Sequence, residues 1–303
     1  MGKQIPISTS FNLPDGREVI IETGKLAAQA DGSVVVRMGK TMLLCTVVSA
    51  RELREGQAWF PLSVDYQEKF AAAGRIPGNF FRREARLSDY EILVSRLVDR
   101  AIRPLFPDGY MYDTQVIINL ISGDTDVPPD AFAALAASAA FAVSDIPFNG
   151  PISEVRVAKI GDDYVVNPNK SALEEATLDI IVAASMDNVV MVEGDAKECS
   201  EQDLLEAMKV GHEAIKVQCQ AQLDLAQKVG EKALNKREYI PPAEDEELKK
   251  EIEALAKDGI YEISKAFLDK HTRKNRFSEL KEKVVEQLAE AKGEEYMEEK
   301  GKL

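Results

Sequence analysis

Cysteine and histidine are scarce in this chain of 303 residues, which contains three cysteines and two histidines. Cys45, Cys199 and Cys219 are an odd number, lie far apart and form no Cys-x-x-Cys motif, and only His212 and His271 are available to join them as metal ligands. This composition argues against a disulfide framework and against a zinc site. It predicts reduced thiols that mostly fill the core.

Long apolar runs are also missing. No segment approaches the roughly 20 apolar residues that a membrane-spanning helix needs, and Met1–Pro6 lacks the apolar core of a signal peptide. The chain is 45% hydrophobic and 30% charged, which is ordinary for a globular protein, and it is long enough for two domains. We therefore expect a cytoplasmic protein without a membrane partner.

Acidic residues outnumber basic ones overall, but arginines are concentrated in one segment. The formal net charge is -14, yet residues 74–103 contain seven arginines and four acidic residues, which gives this segment a charge of +3. A local positive field in an otherwise acidic chain indicates that this segment is the part suited to bind a polyanionic ligand. The arginines are Arg75, Arg82, Arg83, Arg86, Arg96, Arg100 and Arg103.

The first part of this segment, residues 74–83, reads GRIPGNFFRR and predicts a projecting loop, because two glycines and a proline disfavour a helix. Aromatic rings stack on unpaired bases for roughly 1–3 kcal/mol each, and guanidinium groups pair with phosphate oxygens. The loop therefore predicts binding of single-stranded nucleic acid through Phe80, Phe81, Arg82 and Arg83. The alternative is a phenylalanine pair in the core beside solvated arginines.

The second part predicts a helix that carries a row of arginines. Ser88 and Glu91 form a capping box, so the helix should run from about Asp89 until Pro104 stops it. Arg96, Arg100 and Arg103 lie at i, i+4 and i+7 and form one stripe that can follow a phosphate backbone. The opposite arc is assigned to Leu93, Val94, Leu97, Val98 and Ala101. The alternative is that Asp89 and Asp99 pair with the arginines in an ordinary surface network.

The remaining pattern predicts an α+β fold, because strands and helices alternate without a regular βαβ repeat. A buried alanine-rich helix should follow Asp130 and end near Ser144, and a long helix should run from Ser200 toward Val229. The predicted strands are Val34–Val36, Leu43–Val48, Thr114–Ile121, Val155–Ile160, Tyr164–Val166, Leu178–Ala184 and Val189–Val192. From Glu231 onward, dense charge predicts an amphipathic helical domain with a boundary near residue 235.

Two short motifs invite a functional interpretation and do not support it well. Gly39-Lys40-Thr41 ends like a nucleotide-binding loop, but Val34 stands where that motif requires glycine, and a strand follows instead of a helix. Asp124 and Asp126 could hold Mg²⁺, but the sequence after them, Val127-Pro128-Pro129, favours a turn in which Asp126 caps the following helix.

Five motifs in one order resemble bacterial polynucleotide phosphorylase. They are Thr23–Gly39, Phe80–Arg83, Asp99–Pro107, Ile146–Ile152 and Met191–Gly194. The resemblance covers almost the whole chain. It implies an RNase PH-like fold, with a first RNase PH-like repeat at residues 1–235 (subregions about 10–145 and 146–235) and the start of an all-helical linker domain at 236–303.

The resemblance also implies an activity. In that family, inorganic phosphate attacks the 3′ end of single-stranded RNA, with help from Mg²⁺, and releases nucleoside diphosphates during mRNA degradation. The enzyme is a homotrimer with a central channel, and RNA-degradation machinery is a further class of partner. The metal-binding aspartates and phosphate-binding serines belong to a second repeat, so no catalytic role and no metal site is assigned to this chain, which we expect to be the N-terminal part of a longer protein.

Two functional hypotheses follow. In the first, the chain is the RNA-guiding, trimer-forming portion of a phosphate-dependent 3′-to-5′ exoribonuclease, and its RNA-binding residues are Phe80, Phe81, Arg82, Arg83, Arg96, Arg100 and Arg103. In the second, it is a catalytically silent RNA-binding and assembly module that acts only with another chain.

Overall fold

The computed structural model describes residues 6–54, 56–57, 59–78, 86–241, 245–293 and 296. Contacts among them divide the chain into two compact units. The first extends to Leu53 and resumes from Phe60 to Tyr239. The second combines Arg54–Trp59 with the chain from Ile240 onward.

The first unit contains a six-stranded sheet in the order β1-β2-β3-β4-β6-β5. Its strands are β1 (Ile7–Asn12), β2 (Glu18–Thr23), β3 (Gly32–Met38), β4 (Thr41–Ser49), β5 (Leu62–Glu68) and β6 (Thr114–Ser122). Neighbouring strands are antiparallel except β5, which pairs with β6 in parallel. A parallel pair requires a long crossover, and this one contains helix α1 (Asp89–Ile102).

A second, four-stranded antiparallel sheet has the order β10-β9-β7-β8. Its strands are β7 (Ser153–Ile160), β8 (Asp163–Val166), β9 (Leu178–Ala184) and β10 (Val189–Ala196). The long helix α4 (Glu201–Val229) packs against this sheet. The described residues of the first unit also form three shorter α-helices: α2 (Ala133–Ala142), α3 (Lys170–Leu173) and α5 (Glu231–Leu234).

Helix α2 lies at the centre of the core. Every residue from Ala133 to Phe141 is buried, and the helix contacts β3, β4 and β6 of the first sheet and β7 of the second. Alanine side chains allow this close approach on all sides. At Gly32 on β3, a Cβ atom would lie 2.1 Å from the carbonyl oxygen of Ala140, so only glycine fits there.

The predicted α+β class, with mixed sheets and helices, is confirmed, and each predicted strand is present with similar bounds. The sequence prediction missed β1, β2 and β5. β1 and β5 are the two edge strands of the first sheet and contain mostly polar residues, so neither has a continuous apolar run of the kind found in β3, β4 and β9.

The second unit contains two long helices, α6 (Glu246–Lys265) and α7 (Lys270–Lys292). They run antiparallel, because Gly259 faces Leu280 while Glu251 pairs with Lys292. The domain boundary expected near residue 235 stays a prediction. None of the described helices combines the length and the apolar composition that crossing a membrane requires.

Candidate nucleic-acid interface

Helix α1 begins and ends where the sequence predicts. The Ser88 backbone N–H donates to Glu91 Oε2 at 2.7 Å, and the Glu91 N–H donates to Ser88 Oγ at 3.2 Å, so the capping box is complete. The helix ends at Ile102, and Pro104 lies in the short 3-10 turn that follows. Arg96, Arg100 and the first residue of that turn, Arg103, are therefore held on a rigid element.

Side chains of α1 close the free edge of β5. The backbone N–H of Tyr66 donates to Ser95 Oγ at 2.9 Å, and that of Glu68 donates to Glu91 Oε1 at 2.8 Å. Burial opposes ionisation of Glu91, but hydrogen bonds from the backbone N–H groups of Glu68 and Ser88 outweigh it and lower the pKa of Glu91. The helix and the edge strand are thus joined into one body.

Arg103 takes part in this closure. Its Nε and Nη2 donate to the two carboxylate oxygens of Asp99 at 2.9 and 2.6 Å. Its Nη1 and Nη2 also donate to the carbonyl oxygens of Phe60 and Leu62, each at 3.1 Å, and the guanidinium lies 5.6 Å from the centre of the Phe60 ring. Most of its donors are therefore committed within the protein, which favours a positioning role over a ligand-binding role.

Arg100 and Arg96 are progressively less committed. Arg100 forms one ion pair, with Glu193 on β10 at 2.5 Å, and both side chains are about half exposed, at 52% and 49%. Arg96 is exposed and makes no hydrogen bond or ion pair within the described part of the chain. The three arginines thus differ in availability, in the order Arg96, Arg100, Arg103.

The three arginines line one cavity of about 710 Å³. Two carboxylates, those of Asp99 and Glu193, also line it, together with apolar side chains of α1 and β5. In the sequence, Glu193 stands out only as part of a family motif, and nothing there places it at this site. Only the fold could reveal its position, because Arg100 and Glu193 are 93 positions apart.

The prediction for Leu93 was wrong. Val94, Leu97, Val98 and Ala101 are buried as expected, whereas Leu93 is 50% exposed and lines the arginine cavity. It precedes Arg96 by three positions and Arg100 by seven. A period of 3.6 residues therefore places it on their face of the helix rather than on the opposite one.

The predicted aromatic loop falls largely outside the described residues, which resume at Arg86. Phe80, Phe81, Arg82 and Arg83 are among the residues not described, so their assignment as RNA-binding residues stays a prediction. The chain leading into the loop is described, and its Ile76 side chain is 90% exposed.

A second cavity, of about 520 Å³, is lined by Arg75, at the start of the loop, and by Arg86, which follows the loop. Lys69 and Lys170 also line it, and so does Glu68, whose pKa is raised by burial. Neither lysine stands out in the sequence, because nothing in the linear pattern brings position 170 next to position 69.

The Gly123–Asp126 segment is a turn, as expected, but Asp126 caps a different helix. The Asp126 N–H donates to Asp124 Oδ1 at 3.1 Å. Both Asp126 carboxylate oxygens accept hydrogen bonds from Ser171, from its N–H at 2.9 Å and its hydroxyl at 3.0 Å, at the start of α3. Asp126 caps α3 rather than the helix that follows it because α3, although distant in sequence, lies beside the turn.

These two aspartates do not fit a Mg²⁺ site. Magnesium requires several oxygen ligands in near-octahedral geometry, whereas the oxygens of Asp126 are already engaged by Ser171. Within the described ranges no group of three or more histidine, cysteine, aspartate or glutamate residues is arranged to hold a metal ion. We therefore assign no reaction step through a metal to the described residues.

The Gly39-Lys40-Thr41 motif forms the β3–β4 turn. Gly39 has a φ of 56°, and β4 begins at Thr41 rather than a helix. The Thr41 hydroxyl accepts the Asp124 N–H at 3.2 Å, which ties this turn to the Gly123–Asp126 turn. The motif is structural and does not form a phosphate-binding loop.

Comparisons with known proteins confirm the predicted RNase PH-like fold. Residues 15–147 match the family model "3′ exoribonuclease family, domain 1", and residues 150–214 match "3′ exoribonuclease family, domain 2". A chain in a structure described as the Archaeoglobus fulgidus exosome with RNA bound to the active site has a TM-score of 0.55 at 18% identity, covering 68% of this chain and 90% of that one. This likeness concerns the fold alone.

Similar curated proteins are polyribonucleotide nucleotidyltransferases, another name for polynucleotide phosphorylase. That of Cytophaga hutchinsonii is 54% identical over 283 residues, which are 93% of this chain and 39% of the relative. That of Bacteroides fragilis is 54% identical over 299 residues, which are 98% of this chain and 41% of the relative. The chain thus spans about two fifths of the length of these relatives. With both domain models matched in order, the chain belongs to the 3′ exoribonuclease family.

Proposed function

We propose that this chain is the RNA-guiding and trimer-forming portion of a phosphate-dependent 3′-to-5′ exoribonuclease that acts in mRNA degradation. The observation that carries the proposal is the cationic face of α1, where, among the described residues, Arg96 is unpaired and Arg100 is held only by one exposed ion pair. Guanidinium groups in such a state are available to phosphate oxygens of a nucleic acid.

The face and the aromatic loop would act on different parts of the ligand. Arg96 and Arg100 would contact the backbone, which carries no sequence information, so binding should depend on salt and little on sequence. Phe80 and Phe81 would stack on bases, and Arg82 and Arg83 would add backbone contacts near the same point. Arg103 would contribute by fixing the position of the other two.

A homotrimer fits the composition of this face. Ile92 and Leu93, at 43% and 50% exposure, are large apolar side chains beside the arginines, and they favour contact with a second protein surface. In a ring of three copies, the three Phe80–Arg83 loops would surround one aperture, and their weak contacts would combine on a single strand. The excess negative charge elsewhere would direct RNA to that aperture.

The chemistry of the proposed enzyme is phosphorolysis of single-stranded RNA. An oxygen of inorganic phosphate attacks the phosphorus of the last phosphodiester, the bond to the preceding 3′-oxygen breaks, and that oxygen takes a proton. The products are a nucleoside diphosphate and RNA shortened by one nucleotide. The proposal leaves Mg²⁺ and the catalytic groups to a second repeat.

The proposal includes a cytoplasmic location and contact with RNA-degradation machinery. Cys45 and Cys219 are free and buried, and free thiols are typical of proteins in a compartment that keeps thiols reduced. Membership of the 3′ exoribonuclease family supports contact with RNA-degradation machinery, because RNA is the substrate of exoribonucleases.

The second candidate is a catalytically silent RNA-binding and assembly module. It is favoured by the Asp126 carboxylate, because both of its oxygens already accept hydrogen bonds from Ser171 and are not open to a metal ion. One assay separates the two. The chain is incubated with end-labelled poly(A) and Mg²⁺, with and without phosphate, and release of nucleoside diphosphate is measured beside RNA binding. Phosphate-dependent release defeats the silent module, and binding without release defeats an autonomous enzyme.

The RNA-binding face itself is tested with a matched pair of variants. Arg96→Ala removes the unpaired cation from the face, and Lys209→Ala removes an exposed cation from α4 that pairs with Glu206. We expect Arg96→Ala to weaken poly(A) binding several-fold and Lys209→Ala to leave it nearly unchanged. Equal effects of the two variants would show only a general charge effect and would refute the site.

A further inference from the structure

Glu193 is fixed in position by the second sheet rather than by the helix that it contacts. On β10 it pairs with Ile181 of β9. The next residue, Gly194, lies so close to β9 that a Cβ atom there would be 2.2 Å from the carbonyl oxygen of Asp179. The backbone at Glu193 is therefore tightly constrained, and its carboxylate is presented to α1 from a defined point.

Arg100 is equally well anchored on the other side of the contact. Its helix is capped at Ser88 and joined to the edge of β5 through Ser95 and Arg103. Two rigid elements thus bring one carboxylate and one guanidinium together at 2.5 Å. The pair lines the same cavity as Arg96.

The Arg100–Glu193 pair is accessible and weak enough to be exchanged. Both side chains are about half exposed, at 52% and 49%, so water and salt screen their attraction. Ion pairs exposed to this degree contribute little to stability. A phosphate group offers Arg100 the same kind of oxygen pair that the carboxylate offers, and it can take the place of that carboxylate.

We propose that Glu193 is a displaceable counter-anion that occupies Arg100 until an RNA phosphate enters, and thereby sets the affinity and the salt dependence of the arginine face. The inference rests on the proposed function and concerns how the same face is regulated. When RNA binds, Arg100 exchanges Glu193 for phosphate, and the released carboxylate attracts a cation from solution. That uptake partly cancels the counterion release that normally accompanies binding.

The test uses the full chain and a labelled poly(A) oligonucleotide, with binding measured at several salt concentrations. Glu193→Gln keeps the shape of the side chain and removes its charge. We expect its affinity for poly(A) at low salt to rise by about two- to fivefold. The slope of log affinity against log salt should become steeper by roughly half a unit to one unit, because no cation is taken up.

Asp195→Asn is the matched control, since Asp195 lies two positions further along the same strand and makes no ion pair with α1 in the described part of the chain. It reports the general effect of removing one negative charge from β10. The gain from Glu193→Gln should exceed the gain from Asp195→Asn. Glu193→Ala should reproduce the gain, and thermal unfolding should show that all the variants are folded.

A double-mutant cycle with Arg100→Ala decides the mechanism. If Glu193 acts through Arg100, the gain from Glu193→Gln should be at least about twofold smaller in the Arg100→Ala background. Additive effects, or a loss of affinity in Glu193→Gln, would overturn the inference. If Arg96→Ala weakens binding while Glu193→Gln changes nothing, the inference fails and the proposed function stands. Absence of RNA binding by the unmodified chain defeats both.

Discussion

Replacing Arg103 by alanine should destabilise the protein while replacing Arg96 should not, although the two residues look equivalent in sequence. Arg103 donates four hydrogen bonds, two to Asp99 and one each to the carbonyl oxygens of Phe60 and Leu62. Arg96 donates none within the described residues. The substitutions therefore remove very different sets of contacts.

The magnitude follows from these contacts. Hydrogen bonds from a charged group contribute about 1.5–3 kcal/mol each when buried, but the Arg103 side chain is 40% exposed, so solvent screening reduces the whole set to ~1–2 kcal/mol. The cation–π contact with Phe60 adds ~0.5 kcal/mol. A total near 2 kcal/mol corresponds to a decrease in Tm of about 4–8 °C for a domain of this size. Arg96→Ala should change the free energy of unfolding by less than about 0.5 kcal/mol.

The assay is thermal unfolding followed by circular dichroism, beside poly(A) binding at a temperature where all variants are folded. Arg103→Lys is the control, because it keeps the charge but cannot bridge Asp99 and two carbonyl groups at once. We expect Arg103→Lys to lose most of the stabilisation that the Arg103 contacts provide and to keep most of the RNA affinity. The reasoning is refuted if Arg103→Ala leaves Tm unchanged, or if Arg96→Ala lowers Tm as much as Arg103→Ala does.

Three further outcomes are expected. Replacing Arg82 and Arg83 by alanine should weaken RNA binding evenly across sequences and flatten its salt dependence. Replacing Phe80 and Phe81 by alanine should weaken binding with little change in the salt slope. The opposite pattern in a salt titration would reject the loop assignment. Burial raises the pKa of Glu154 from 4.5 to about 8, so between these pH values the folded protein retains a proton that the unfolded chain releases. The free energy of unfolding should therefore fall as pH rises from 4.5 to about 8, by at most ~1.4 kcal/mol per pH unit. Urea midpoints of Glu154→Gln should show a flatter pH profile, and parallel profiles would contradict this. Gly194→Ala should destabilise the protein by ~1–3 kcal/mol, because the new methyl group meets the Asp179 carbonyl, and an unchanged Tm would disprove the close approach.

Local signals explain what the sequence could predict. The bounds of α1 were predictable because Ser88, Glu91 and Pro104 lie within or next to the helix that they delimit. The α+β class was predictable from runs of apolar residues in the central strands. The edge strand β5 was missed although Leu62–Gln67 alternates apolar and polar residues, because its apolar residues form no continuous run and its partner β6 comes after a long crossover.

The sequence could not predict how many hydrogen bonds and ion pairs each of the three arginines makes within the protein. The partners of Arg103 at Phe60 and Leu62 are 43 and 41 positions away, and Glu193 is 93 positions from Arg100. Spacing along a helix shows that residues share a face, but it does not show which of them the rest of the fold has already engaged. The same limit explains why Asp126 was expected to cap the helix that follows it and instead caps α3.

The closure of β5 by α1 has a consequence for how copies of this chain can assemble. An uncovered edge strand is a template on which another chain can extend a sheet, and such growth has no natural end. Here Ser95, Glu91 and Arg103 already satisfy backbone groups along that margin. A second copy that approached this side would meet side chains rather than an open strand edge, which disfavours open-ended sheet extension from β5.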